Sequence, residues 1–382
     1  MDKQKEKKSG IIKKVLLTAV LTILFFVCGL LLGKVMKGSG SAATVTGATK
    51  SDKIVFCITS TISIFVSYVL TLIIHEGGHL IFGLATGYKF LSFRVFSLTL
   101  IKKDGKFMWK KFSLQGTGGQ CILMPPESDT PEKVPFFLYH AGGGLMNLVT
   151  AAICLPIAVM VKSMVPMTIF MIFGLLSLFQ GIINLIPMKI QVPNDGYNIF
   201  QMIKSPVTRA AIYKSLRMNG LLYYGYTPKE IPEELLDLGS EGFYSIVGKT
   251  LRAGVVLDRH DFETAEKLYE ETAADSTIKL YQIESRCEVL FCKIMNGAPA
   301  EEIDELYDKE LRTYINTYSK MMISKRRQMY AYQLLYKKDA EAAEKEYSAA
   351  MKMKETYPIE GELRSELELI EAVKERAERD NI

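Results

Sequence analysis

The chain has 382 residues, room for two or three domains. It is 48% hydrophobic yet 23% charged, with a mean hydropathy of +0.12, which excludes one uniformly water-soluble globule and points to one part in lipid and another in water. The net charge of +5 is spread out and forms no basic stripe interleaved with aromatics, so a nucleic-acid partner is excluded.

Six cysteines, Cys28, Cys57, Cys121, Cys154, Cys287 and Cys292, include no Cys-x-x-Cys pair. That pattern is neither a disulfide framework nor a thiolate metal site.

Four uncharged apolar runs follow in chain order: Val15–Leu32, Ile54–Ile74, Phe136–Val161 (broken only by His140) and Met164–Met188. Each is long enough to cross a hydrocarbon core as a helix. The first follows a lysine-rich start and lacks a clean small-x-small cleavage site, so it reads as an uncleaved anchor. Lys3, Lys5, Lys7, Lys8, Lys13 and Lys14 precede it. Lys89, Arg94, Lys102, Lys103, Lys106, Lys110 and Lys111 lie between the second and third runs, and only Lys162 between the third and fourth. This asymmetry puts both termini in the cytoplasm and residues 75–79 toward that side, despite four lysines in the first external loop.

Between the second and third runs the pattern changes. Leu91–Leu98 roughly alternates, Asp104-Gly105 is a turn signal, and Phe107–Leu114 returns with β-formers. This predicts a β-hairpin within 90–124, with a short further strand at Cys121–Met124 before Pro125-Pro126. The hairpin edge could pair with an extended substrate. Beyond about residue 205 the chain reads as amphipathic helix. Ala265-Glu266-Lys267-Leu268-Tyr269 recurs as Ala343-Glu344-Lys345-Glu346-Tyr347, with Ile303–Tyr307 between them. The tyrosines are 38 and 40 residues apart, the period of stacked helical hairpins. The array resembles tetratricopeptide-type repeats without their first-helix signature. The expected architecture is therefore mostly α. It has an N-terminal segment over 1–53, a polytopic membrane bundle of about four helices with a small membrane-associated sheet over 54–205, and a cytosolic helical repeat-like domain over 206–382.

The chemistry is carried by His75-Glu76-Gly77-Gly78-His79. On a helix, positions i and i+4 share a face, so both imidazoles can hold one ion. Glu76, beside the first, can take a proton from water at the metal. Ionisable residues at the end of a 21-residue apolar run are costly and point to function. A third ligand must come from elsewhere: Asp195, His140, Glu127 and Asp129 are the candidates. Asn147, deep in the third run, is either packing glue between helices or a hydrogen-bond donor to an oxyanion.

These motifs in this order resemble the site-2 protease family of intramembrane metalloproteases. Four features carry the resemblance. They are His75–His79, Gly118-Gly119 before an apolar strand and proline, Gly142-Gly143-Gly144-Leu145-Met146-Asn147, and Asn184-Leu185-Ile186-Pro187 followed by Asp195-Gly196. The resemblance covers residues 54–205. It implies a Zn2+ ion on His75, His79 and Asp195, Glu76 as general base, and Asn147 as oxyanion donor. It further implies a transmembrane or membrane-associated peptide substrate, in a bacterial cell membrane. Asn194 stands where the family usually has an aliphatic residue. The helical array lies outside the resemblance and implies a cytosolic protein partner. The competing classes are a membrane-linked zincin that cuts soluble proteins and a non-proteolytic scaffold.

A reporter fused after residue 382 is expected to read cytoplasmic, and one inserted near Lys162 external. An external C-terminus would mean that one of the four runs does not cross.

Overall fold

The computed structural model describes residues 50–382 apart from 104, 113–116, 189–192 and 240–241. The predicted anchor, with Cys28, lies outside the described residues, as do Leu114 and Gly116. The described chain is mostly helical with one small antiparallel sheet. Three of its helices are long and apolar enough to cross a membrane. It divides into two compact units: residues up to Phe82 with Phe137–Phe200, and Gly83–Phe136 with Gln201–Ile382.

The first unit is built on α1 (Lys50–Ala85), α2 (Phe137–Met160) and α3 (Met164–Leu185), with the start of α4 (Asp195–Lys204) closing it. The sequence ends an apolar run at Ile74, but the helix runs on to Ala85 and stops only before Gly87, whose φ is +88°. The polar pentapeptide thus lies inside a continuous helix of 36 residues, about 54 Å at 1.5 Å per residue. Polarity in α1 is inverted relative to a helix in water. Ile54, Ile58, Ile62, Phe65 and Ile73 face outward. Ser63, Ser67, Thr71, His75 and His79, at every fourth position, are buried. Every fourth residue falls on one helical face, and polar groups turned inward with aliphatics outward are the arrangement lipid favours.

Helices α2 and α3 are joined by three residues and pack through small side chains. Gly144, Ala151, Cys154 and Ala158 are buried on α2, and Gly174, Ser177 and Gly181 on α3. Apolar bulk gains little from helix contact inside lipid, so small residues that let backbones approach make the better interface.

In the second unit, β1 (Lys89–Val95), β2 (Leu98–Lys103), β3 (Lys106–Lys111) and β4 (Gly119–Met124) form a sheet of order β3-β2-β1-β4, each pair antiparallel. The sequence reads Leu91–Leu98 as one strand. The structure breaks it at Phe96, which turns with a φ of +52°, so two hairpins replace one. Arg94 holds this turn, donating from Nη1 to the Phe96 carbonyl at 2.9 Å. Alternation could not reveal the break, because Phe96 and Leu98 are both apolar and both exposed. The opposite face, with Ser92, Arg94, Thr99 and Ile101, is buried. It is covered from within the same unit. The Ser92 hydroxyl bonds that of Tyr223 at 3.1 Å, and Phe112 packs edge-on to Tyr357.

The remaining helices are α5 (Pro206–Tyr223), α6 (Glu233–Leu236), α7 (Gly242–Asp258), α8 (Phe262–Asp275), α9 (Lys279–Asn296), α10 (Ala300–Leu306), α11 (Lys309–Tyr318), α12 (Ile323–Ala331, with a π turn to Lys337), α13 (Ala340–Met353) and α14 (Glu360–Arg379). Two of the three sequence repeats coincide in structure. His260 and Lys338 both adopt positive φ, and Asp261 and Asp339 both cap the next helix by accepting from the amide three residues on. Ala265 and Ala343 are both buried. The middle repeat differs: Asp308 caps α11 and cuts α10 short, so Tyr307 stands at a helix end. Tyr269, Tyr307 and Tyr347 all join one hydrophobic core. The five described cysteines are free.

That core encloses an ionic cluster. Arg327 is fully buried, bonded to Glu366 at 2.7 Å and Glu288 at 2.8 Å, with its guanidinium 4.1 Å from the Phe291 ring centre. Lys325, also fully buried, bonds Glu284 at 2.6 Å. Two cations thus face the carboxylates of Glu284, Glu288, Glu362 and Glu366. Burial, with Glu366 and Glu284 nearby, pushes the Glu362 carboxyl up to about 7, against a hydrogen bond from Tyr357 that lowers it. A carboxyl raised in the folded state binds its proton more tightly there than in the unfolded chain. Its contribution is therefore fully present below the ordinary carboxylate value and lost as pH rises through about 7. Thermal unfolding of the full chain in detergent should show stability falling from pH 5 to pH 8 in part through this group. Glu362→Gln should flatten that fall and be the more stable protein at pH 8; an unchanged slope would assign the titration elsewhere.

Candidate metal centre

His75 and His79 stand one turn apart on the buried face of α1, and Asp195 is the first residue of α4. The two imidazole Nε2 atoms are 3.1 Å apart. Asp195 Oδ2 lies 3.3 Å from His75 Nε2 and 3.4 Å from His79 Nε2. Ligands at about 2.0–2.1 Å from a tetrahedral ion are separated by roughly 3.3 Å, so this triangle matches one face of such a tetrahedron. Three electron-pair donors converge on one point, and they are the group among the described residues that could hold a metal ion.

The triangle exists because α1 and α2 come unusually close. A Cβ on Gly142 would fall 2.5 Å from the Gly78 carbonyl oxygen, and one on Gly78 would collide with the Gly142 carbonyl. A Cβ on Gly143 would sit 2.5 Å from His75 Cε1 and 2.6 Å from each Nε2. The absent side chain of Gly143 is thus the space in which the imidazoles meet. The polar environment continues outward. His79 Nδ1 is 2.8 Å from the Tyr139 carbonyl oxygen, to which it donates when its Nε2 faces the ion. The amide of Asn147, fully buried, lies 3.4 Å from His75 Nδ1 and 3.5 Å from the side-chain oxygen of Gln180. Glu76 is buried on the same helix.

Of the four third-ligand candidates, the structure brings Asp195 alone to the two histidines. His140 is buried against Tyr139, its Nε2 without a hydrogen-bond partner among the described residues, and is not part of the group. Glu127 is engaged by Arg217 at 2.7 Å, and Asp129 is exposed. Burial alone would raise the Asp195 carboxyl, but hydrogen bonds from His75 and His79 overcome it and hold the group below the ordinary carboxylate range.

Sequence reasoning missed the residue that places Asp195. Asn194 Oδ1 accepts from the Tyr197 amide at 2.9 Å, the N-cap bond of α4, and from the Met188 amide at 3.0 Å. Its Nδ2 donates to the carbonyls of Ile183 and Ile186, both at 2.8 Å. One side chain thereby ties the end of α3 to the start of α4. An aliphatic residue could make none of these bonds. The available signal was an Asn immediately ahead of a helix start, which reads as a cap. The Ser63-Ser67-Thr71 stripe leading to His75 was also missed, although its four-residue spacing was visible.

Comparison with protein-family models, with curated proteins and with solved structures finds no match to this chain.

Gly143→Ala should lower affinity for added Zn2+ at this triangle by at least tenfold, read by competition with a chelator, because the new methyl occupies the space of the imidazoles. Wild-type affinity in this variant would show that the ring positions adjust freely.

Proposed function

We propose that this chain is an intramembrane zinc metalloprotease of the site-2 protease type, hydrolysing peptide bonds in or near membrane-spanning segments. The observation that carries the reading is the triangle of His75, His79 and Asp195 donors, both histidines standing on a helix of membrane-crossing length. A structural role does not call for three converging lone pairs inside a helix bundle, where polar groups are costly. Two neutral imidazoles and one carboxylate form a three-ligand set that suits zinc and leaves a fourth position open. Zinc at such a site supplies Lewis-acid polarisation of a carbonyl and acidifies water.

This chain's own residues do the rest. His75 and His79 present Nε2 from one face of α1, and Asp195 adds the single negative charge. Glu76, adjacent to the first ligand, takes the proton from the attacking water and returns it to the departing amine. A substrate helix satisfies its own amides, so it must unwind locally before its carbonyl can reach the site. The run Val15–Leu32 adds a fourth crossing, both termini face the cytoplasm, and the exposed aromatic face of the sheet lies along the membrane surface. The helical array, read as tetratricopeptide-like hairpins, binds a cytosolic partner or substrate tail and regulates cleavage.

The protein in mild detergent is expected to hold about one zinc per chain. Glu76→Gln should retain the zinc and abolish cleavage, because Glu76 is not a ligand, and membrane proteomics of cells carrying it should lack a fragment present with the native chain. Folded wild-type protein without zinc would overturn the reading. A Glu76→Gln variant cutting at the native rate would place the base elsewhere.

A further inference from the structure

We infer that Asn147 is a positioning residue for His75, its amide oxygen accepting the His75 Nδ1 proton, and that Gln180 orients that amide in turn. The inference rests on the metal-site reading above and assigns Asn147 a task different from donating to an oxyanion.

His75 Nε2 belongs to the donor triangle, 3.1 Å from His79 Nε2 and 3.3 Å from Asp195 Oδ2. When Nε2 directs its lone pair there, the ring proton of the neutral imidazole must sit on Nδ1. That N–H is buried with its ring and requires an acceptor. The group opposite Nδ1 is the amide of Asn147 on α2, at 3.4 Å. In the structure the amide nitrogen faces Nδ1, while Oδ1 is buried with no hydrogen-bond partner among the described residues. Two donors then oppose one another, and the buried His75 N–H is left without an acceptor. A half-turn about χ2 exchanges Oδ1 and Nδ2 with almost no change in shape. After it, Oδ1 accepts from His75 Nδ1–H and the clash of donors is removed, while Nδ2 takes the buried position that Oδ1 held.

Gln180 completes the chain. Its side-chain oxygen now lies 3.5 Å from Asn147 Nδ2. With the Asn147 oxygen presented instead, the Gln180 amide turns likewise and donates Nε2–H to the second lone pair of Oδ1. Asn147 Oδ1 then accepts from both of its neighbours, Gln180 and His75. His79 is served in the same way, its Nδ1 2.8 Å from the Tyr139 carbonyl. Both imidazoles would thus be oriented by acceptors on one helix, α2: a main-chain carbonyl for one and a side chain for the other. Such outer partners fix the ring orientation and raise the basicity of a ligand, and removing one typically costs 10–100-fold in metal affinity.

An oxyanion donor and an acceptor for His75 differ in what each substitution does to metal binding. The test uses the full-length protein in detergent with Zn2+ and Co2+ as probes. Asn147→Leu should weaken Zn2+ about 10–100-fold by chelator competition and alter the absorption spectrum of bound Co2+. Asn147→Asp, which keeps an acceptor and loses the N–H donors, should hold Zn2+ within a few-fold of wild type and keep the Co2+ spectrum. Gln180→Leu should weaken Zn2+ in the same direction by less. Only four histidines are present, so 15N spectra of histidine-labelled Zn2+ protein can show the Nδ1–H of His75 directly, and Asn147→Leu should shift that signal. Wild-type Zn2+ affinity and Co2+ spectrum in Asn147→Leu would overturn the inference while leaving the metal site standing. Loss of affinity equal in Asn147→Asp and Asn147→Leu would also overturn it, since the acceptor would then not matter. A wild-type chain that binds neither ion would instead overturn the parent reading.

Discussion

The first unit depends on one close approach: the backbones of α1 and α2 at Gly78, Gly142 and Gly143. A single methyl at any of these positions would strike a carbonyl or an imidazole. Glycine in a helix costs about 1 kcal/mol relative to alanine, and three of them here would weaken helices standing alone. The cost is accepted because no other residue lets a carbonyl of one helix sit against the backbone of another. From that contact follow the depth of His75 and His79, their 3.1 Å separation, and the volume in which a third donor can join them.

Converging donors create a second demand. Each imidazole has two nitrogens, and a buried nitrogen turned away from the centre needs its own partner. Helix α2 meets that demand with the Tyr139 carbonyl and the Asn147 amide. Asp195 has the opposite difficulty, since it stands at the first position of a short helix separate from α1. Asn194 holds it there by spending all its hydrogen-bonding capacity on the ends of α3 and α4. The polar residue at position 194 is thus a fastening.

The second unit solves a different problem. Its helices pack around a core that contains Arg327 and Lys325 with no exposed surface. Such charges persist because each is matched: Arg327 by Glu288 and Glu366, Lys325 by Glu284. Removing one partner of a buried pair costs about 3–5 kcal/mol, whereas replacing the whole set with apolar residues is often neutral, so the cluster specifies the register of α9, α12 and α14 more than it adds stability. The sheet belongs to this unit, its buried face meeting Tyr223 and Tyr357, although its position in the sequence lies between two membrane-length helices.

The sequence by itself determined what depends on short-range periodicity. Four residues make nearly one helical turn, so His75 and His79 had to share a face once an apolar run was recognised as helix. Membrane-length runs, the strand character within 90–124 and the repeated alanine-tyrosine pattern at 265–269 and 343–347 are likewise local. The tertiary structure decided what depends on distant segments. Asp195 was one of four candidates until α4 was placed beside α1, because a carboxylate carries no mark of which histidines it will meet. The turn at Phe96 escaped because exposed apolar residues on both sides hid the break in alternation. Tyr307 left its repeat because the Asp308 cap competes for the same turn. Asn147 read as packing glue or as an oxyanion donor from the sequence, since a hydrogen bond is defined by its partner, and the nitrogen it faces lies 72 residues away in a chain that only packing brings back.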